Sequence, residues 1–157
     1  MIKQSTSKYL LVLISLLLAG PNAVAIQEPS VGISVDGGYI RQMPPGQILT
    51  AAFVSLNNAT KITCRLLGAS SAIADKIQIH GHFHKDGMMS MRPVKGIDIA
   101  AGKTISLQPG GYHLMLFGLK HDLIENQLHQ ITLLFDKCPD VVFNANVKNM
   151  SHHKNHD

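Results

Sequence analysis

The chain has 157 residues, of which 45% are hydrophobic, 15% charged and 5% aromatic, and its 14 Lys and Arg against 10 Asp and Glu give a formal charge of +4. That length builds one domain with a core of its own, and the apolar content excludes wholesale disorder. A charge so small, with no basic run and few aromatics, leaves no footprint for nucleic acid. Against this background nine His and seven Met stand out beside two Cys and no Trp, so soft and borderline metal donors are plentiful where charged residues are scarce.

The first 25 residues place Lys3 and Lys8 ahead of an apolar run over 9–18, followed by Pro21 and the small-x-small triplet Ala23-Val24-Ala25. This is the layout of a cleaved secretory signal peptide. The run is too short to span a bilayer and no later stretch is long and apolar enough, so no stable membrane insertion is expected. Cleavage after Ala25 lowers the net charge to +2 and sends the rest to the periplasm or another oxidising extracytoplasmic space. The residue directly after that point is Ile26 rather than Cys, which argues against a lipid anchor of the bacterial lipoprotein kind. The expected organisation is a signal peptide over 1–25, a β-sandwich domain over 26–148 and a tail over 149–157.

Beyond the signal peptide the sequence reads as all-β. Alternating or β-branched runs fall at 31–36, 49–56, 62–69, 76–84, 89–92, 103–108, 112–117, 129–135 and 141–147. Turn chemistry separates them: Gly37-Gly38, Pro44-Pro45-Gly46, Asn57-Asn58, Asp86-Gly87, Ala101-Gly102 and Pro109-Gly110-Gly111. Only 119–127 hints at a helical turn. Many short strands at even spacing predict an antiparallel sandwich or barrel rather than βαβ units.

Cys64 and Cys138 lie in a chain expected to be exported, which favours a disulfide over two free thiols or a thiolate ligand. Neither is followed by the closely spaced His and Met of a blue-copper site.

The chemistry concentrates in two segments. Over 76–84, alternation sends Ile77, Ile79 and Phe83 to one face, the core, and His80, His82 and His84 to the other. The turn Lys85-Asp86-Gly87 then folds the chain back, bringing Met91 opposite His80 or His82 according to register. In the second segment His113 and Met115, two residues apart, project from one face just after the Pro-Gly-Gly turn. Two imidazoles and two thioethers make a neutral, soft site that selects Cu(I); Zn(II) recruits thiolate or carboxylate, and Ca²⁺ or Mg²⁺ recruits oxygen.

These four residues follow the spacing His-x10-Met-x21-His-x-Met. The spacing resembles the signature of the periplasmic copper chaperones called PCu(A)C, and so do Arg41 with Pro44-Pro45-Gly46, the segment 51–57, Asp86-Gly87-Met88-Met89 and the segment 109–115. The similarity runs from about Val31 to Val147. It implies a cupredoxin-like antiparallel β-sandwich with Cu(I) held near its surface by His80, Met91, His113 and Met115. It also implies delivery of copper for assembly of the binuclear centre of cytochrome c oxidase, with the acceptor copper domain of that oxidase and Sco-like thioredoxin-fold proteins as partners.

The chain departs from the family pattern at Gly81, where a Met often follows the first ligand and would be an auxiliary sulfur. His82 and His84 share the face of His80 and are expected as a solvated strand face, with a slipped site or a second ion as the alternative. Met89 shares the face of Met91, and Met88 is expected to pack. In the tail, Met150, His152, His153 and His156 form a separate candidate site for Cu(II), as in comparable extensions of some family members, with a merely solubilising tail as the alternative. Met43, His121 and His129 have no assigned role.

A carrier fits these residues better than a catalyst. The sequence shows no Ser-His-Asp cue, no HExxH, no paired carboxylates beside a His and no phosphate loop. The alternatives are a periplasmic copper sequestration or resistance protein, and a secreted β-sandwich interaction module in which the His and Met are incidental.

Overall fold

Alternation between apolar and polar positions draws most of the described residues into strands. The computed structural model describes residues 32–85 and 87–150; the expected signal peptide over 1–25 and the tail residues His152, His153 and His156 lie outside the described residues. Ten strands follow in chain order: β1 (Ile33–Arg41), β2 (Leu49–Asn58), β3 (Cys64–Ser70), β4 (Ala74–Lys85), β5 (Met88–Pro93), β6 (Ile97–Ile99), β7 (Thr104–Leu107), β8 (His113–Leu119), β9 (Leu128–Asp136) and β10 (Val141–Lys148). Among the described residues there is no helix, and no helix long and apolar enough to cross a membrane.

The strands pair in the order β5-β4-β8-β2-β1-β10-β9-β3-β6, and a further β3–β4 pairing at Ala69 and Ile77 joins the two ends into a closed β-sandwich. Every pairing is antiparallel except β1 with β10. The interior is filled by inward-facing residues from every strand except β5, with Ile40, Leu56, Leu66, Leu114, Leu116, Ile131, Leu133 and Val147 fully buried.

The observed strands depart from the sequence reading in a few places, each with a physical cause. Gly37 and Gly38 do not end the first strand. The β1–β2 register shifts between Asp36 and Tyr39, with Gly37 at φ 64°, so the pair forms a bulge through which β1 continues to Arg41. Gly38 passes directly beneath the Phe143 ring, where a Cβ has no room. Asn58 is not a turn residue but the fully buried end of β2. Its Nδ2 donates to the carbonyls of Ile62 and Ile99, both at 2.8 Å, and its Oδ1 accepts from Thr60 N at 3.0 Å. The three-residue β6 is too short to show a period, yet Ile97 and Ile99 are buried against β3, and Asp98 points out to Arg65, whose Nη1 donates to both carboxylate oxygens. Of the segment 119–127, Leu119 ends β8 and 120–127 is a loop pinned by the buried Leu123, with Asn126 in the left-handed region at φ 66°.

The same topology brings Cys64, at the start of β3, to Cys138 in the loop before β10, and the two are bonded across a Cα–Cα distance of 5.6 Å. The bridge closes a sequence separation of 74 residues. A loop of that length constrains the unfolded chain by about 4 kcal/mol on the chain-entropy account. Chemical denaturation of the Cys64→Ala/Cys138→Ala double variant is expected to give a stability lower by about that amount, with the denaturant slope raised as its unfolded chain expands.

Candidate metal centre

The donor-bearing face is built on β4, β8 and the hairpin β4–β5. Along β4 the apolar Ile77 and Ile79 are buried, which turns Gln78, His80 and His82 to the other side. Along β8 Leu114 and Leu116 are buried, which turns His113, Met115 and Phe117 to that same side. The β4–β8 register sets His80 directly opposite His113 and Gln78 opposite Met115. In the hairpin, His82 lies opposite Met91 and His80 opposite Pro93. Between the two registers left open by the sequence, the structure therefore takes the one that pairs Met91 with His82.

A gap in the neighbouring strand edge opens the cleft. β7 and β8 run end to end along one edge of β2, with Leu107 opposite Val54 and Leu114 opposite Ala52. Between them the chain leaves the edge at 108–112, opposite Phe53. Gln108 N donates to Tyr112 O at 2.7 Å, Gly111 N donates to Gln108 O at 3.0 Å, and Gly110 takes φ 80°. A cavity of about 230 Å³ forms beside this excursion, lined by His82, Met91, His113 and Met115 together with Met43 and Arg41.

The turn also orients one imidazole. Gly111 presents its carbonyl to His113, whose Nδ1–H donates to it at 3.1 Å. A carbonyl only accepts, so Nδ1 carries the proton and Nε2 keeps its lone pair; Nε2 is buried with no hydrogen-bond partner among the described residues. His113 is 3% exposed, and its ring lies 5.2 Å from that of His82, 6.0 Å from that of His80 and 6.3 Å from Phe53.

His80 does not line the cleft. Its ring lies between those of His113 and Phe117, at 6.0 and 5.9 Å, and neither of its nitrogens has a hydrogen-bond partner among the described residues. Gly81 faces away from the donors and sits beneath Tyr112 and Phe83, where an added Cβ meets ring carbons at 3.0–3.1 Å. A methionine there would point to the wrong side to serve as an auxiliary sulfur. Phe83, expected in the core, is instead 40% exposed, because β4 runs beyond the layer that covers Ile77 and Ile79. Met88 and Met89 are 71% and 61% exposed; Met88 does not pack, and Met89 lies opposite His84 in the register but does not line the cleft. Met43 lines the cleft and carries no sequence signal beyond its thioether. Met150 lines a groove that shares Arg41 and Met43 with the cleft.

Three histidines sit below the ordinary imidazole value of 6.5. Burial is the main cause at His80, followed by the charges of His113 and Lys76. Burial also dominates at His113, opposed by the hydrogen bond to Gly111 and reinforced by His82 and Arg41. At His129, whose ring lies 5.7 Å from that of His121, burial leads and His121 adds to it. Neutral imidazoles are thereby favoured, which is the form that binds metal.

The fold is that of a PCu(A)C domain: a solved structure described as the copper-bound PCuAC domain from PmoF2 superposes with a TM-score of 0.64 at 22% identity, covering 79% of this chain and 99% of that one. The chain belongs to the PCu(A)C-related family described as "Putative lipoprotein LpqE-like", whose sequence model matches residues 33–147. A relative from Leifsonia xyli subsp. xyli, "Putative lipoprotein Lxx21020", is 37% identical over 105 residues, which are 66% of this chain and 62% of that protein. The solution structure of Cu(I)-DR1885 from Deinococcus radiodurans is 30% identical with a TM-score of 0.63, over 82% of this chain and 85% of that one.

The lowered imidazole values set a pH dependence of stability. The unfolded chain takes up protons at these histidines near 6.5 and the folded chain only at lower pH, so their contribution is present above 6.5 and lost as pH falls through the folded values. Thermal midpoints measured over an acid series are expected to drop below pH 6.5, and His129→Gln, remote from the cleft, is expected to flatten part of that slope.

Proposed function

We propose that this protein is an extracytoplasmic copper carrier of the chaperone type, exported by the signal peptide over 1–25, which binds Cu(I) in the cleft beside the Pro109-Gly110-Gly111 turn and hands it on. Met91, His113 and Met115 are the ligands, with an imidazole from β4 for which the family spacing nominates His80. The single observation that carries this reading is the convergence of Met91, His113 and Met115 on one cavity, with the free Nε2 of His113 held in place by its Nδ1–H bond to Gly111. Thioether sulfur and neutral imidazole together select Cu(I) over harder ions. Membership of the PCu(A)C-related family and the 30% identity to a protein whose solved structure carries Cu(I) support the choice of metal.

The donors fit cargo handling. Four neutral ligands at a partly open cleft bind the ion without a fixed counter-charge, and Met91 at 48% exposure leaves an incoming acceptor within reach. The proposed recipient is the copper domain of cytochrome c oxidase during assembly of its binuclear centre, with Sco-like proteins as associates. The tail residues Met150, His152, His153 and His156 form a separate Cu(II) site; the seat of Met150 in a groove that shares Arg41 and Met43 with the cleft supports an exchange between tail and core.

Titration of the full chain with Cu(I) against a chromophoric chelator is expected to give one tightly bound ion. Met91→Ala or Met115→Ala is expected to weaken it by about 10–100-fold, and binding unchanged in both would reject the site. The triple variant His152→Ala/His153→Ala/His156→Ala is expected to lose Cu(II) and keep Cu(I), as read by Cu(II) electron paramagnetic resonance and the same chelator assay. Transfer to an apo oxidase copper domain separates delivery from storage: a carrier loads the acceptor, and a sequestration protein retains its ion.

A further inference from the structure

The cleft contains one imidazole that the family spacing passes over. His82 lines it together with Met91, His113 and Met115, whereas His80 stands to one side between the rings of His113 and Phe117. The hairpin register is the cause. His82 lies directly opposite Met91, and His80 lies opposite Pro93. Side chains directly opposite in antiparallel strands start about 5 Å apart at Cβ, while a diagonal pair such as His80 and Met91 is separated by about 7–8 Å. Two donors bound about 2.0–2.3 Å from one ion lie within about 4 Å of each other. The direct pair reaches that with little rearrangement, and the diagonal pair has farther to travel.

Two further observations point the same way. The His82 ring is the nearest imidazole to His113, at 5.2 Å against 6.0 Å for His80. Its Nδ1 is buried with no hydrogen-bond partner among the described residues, so no structural duty competes for that lone pair. Resting on the copper reading of the cleft, we propose that His82 is a ligand of the bound Cu(I), acting with Met91 as a nitrogen and sulfur pair supplied by the β4–β5 hairpin. The hairpin pair then faces the equivalent pair His113 and Met115 supplied by β8. Of the two roles open to His82 from the sequence, a solvated strand position or a donor, the structure assigns the donor.

The test uses the full chain and Cu(I) itself. Competition against a chromophoric chelator is run on the parent, His82→Ala and His82→Met, and the histidine ring nitrogens of the parent are followed by long-range ¹H–¹⁵N NMR on loading. The expected result is an affinity lower by about tenfold or more in His82→Ala. In His82→Met, which returns a soft donor to the same place, affinity is expected within about threefold of the parent, an outcome that mere loss of packing would not produce. The His82 ring resonances are expected to shift on loading. An affinity in His82→Ala within about threefold of the parent, with His82 resonances unmoved in a parent that loads normally, overturns the proposal and leaves the carrier reading standing. A parent that takes up no Cu(I) overturns the carrier reading itself.

Discussion

The antiparallel pairing of β4 with β8 governs both the core and the donor cluster. Ile77, Ile79, Leu114 and Leu116 are buried on one side of this pair, and burying each such side chain contributes about 1.5–3 kcal/mol. Because side chains alternate along a strand, a slip of one residue in either strand would expose its apolar set and push its imidazoles inward. The core therefore locks the register, and the register sets His80 against His113. No donor has to contribute to stability for the donor face to form; the apolar residues on the reverse side hold it in place.

The cleft follows from a second constraint, the break between β7 and β8. A continuous strand along that edge of β2 would have filled the space opposite Phe53 with backbone. The Pro-Gly-Gly excursion removes it and turns the Gly111 carbonyl back onto His113, fixing its tautomer. Backbone geometry thus does here what a carboxylate does in many metal sites, fixing the tautomer and orientation of the ring while adding no charge. Burial reinforces this by disfavouring the imidazolium form. A buried ring nitrogen without a partner costs about 1–3 kcal/mol, and several of them gather on this face, at His80, His82 and His113. Such a concentration of unpartnered ring nitrogens is a cost to the fold, and the proposed copper binding would use the lone pairs among them.

Much of the fold was legible in the chain because strands announce themselves by period two and turns by Gly, Pro and Asn. Nine of the strands lie close to where the alternation puts them. The misreadings share a cause: local signals were overridden by distant partners. Gly37-Gly38 carries turn chemistry but sits under Phe143, 105 positions away, and so becomes a bulge. The short β6 has meaning only as a partner of β3. The parallel contact of β1 with β10 joins the two ends of the domain and leaves no mark on the sequence of either. Asn58 looked like a loop residue, yet its amide holds together two carbonyls from separate segments.

The sequence by itself determined which residues carry soft donors, which strand face each occupies, and the signature spacing that marks the family, because all three depend on residue type and a fixed two-residue period. Tertiary structure alone decided which donors meet. The choice between His80 and His82 opposite Met91 is a matter of hairpin register, settled by the pairing of Lys85 with Met88 at the hairpin end and by the packing of β4 on β8. The inclusion of Met43 in the cleft, and the approach of Met150 to its wall, depend on where β1 and β10 end side by side. Alternation fixes direction within a strand, but proximity between strands is a property of pairing, and pairing is set by the whole core.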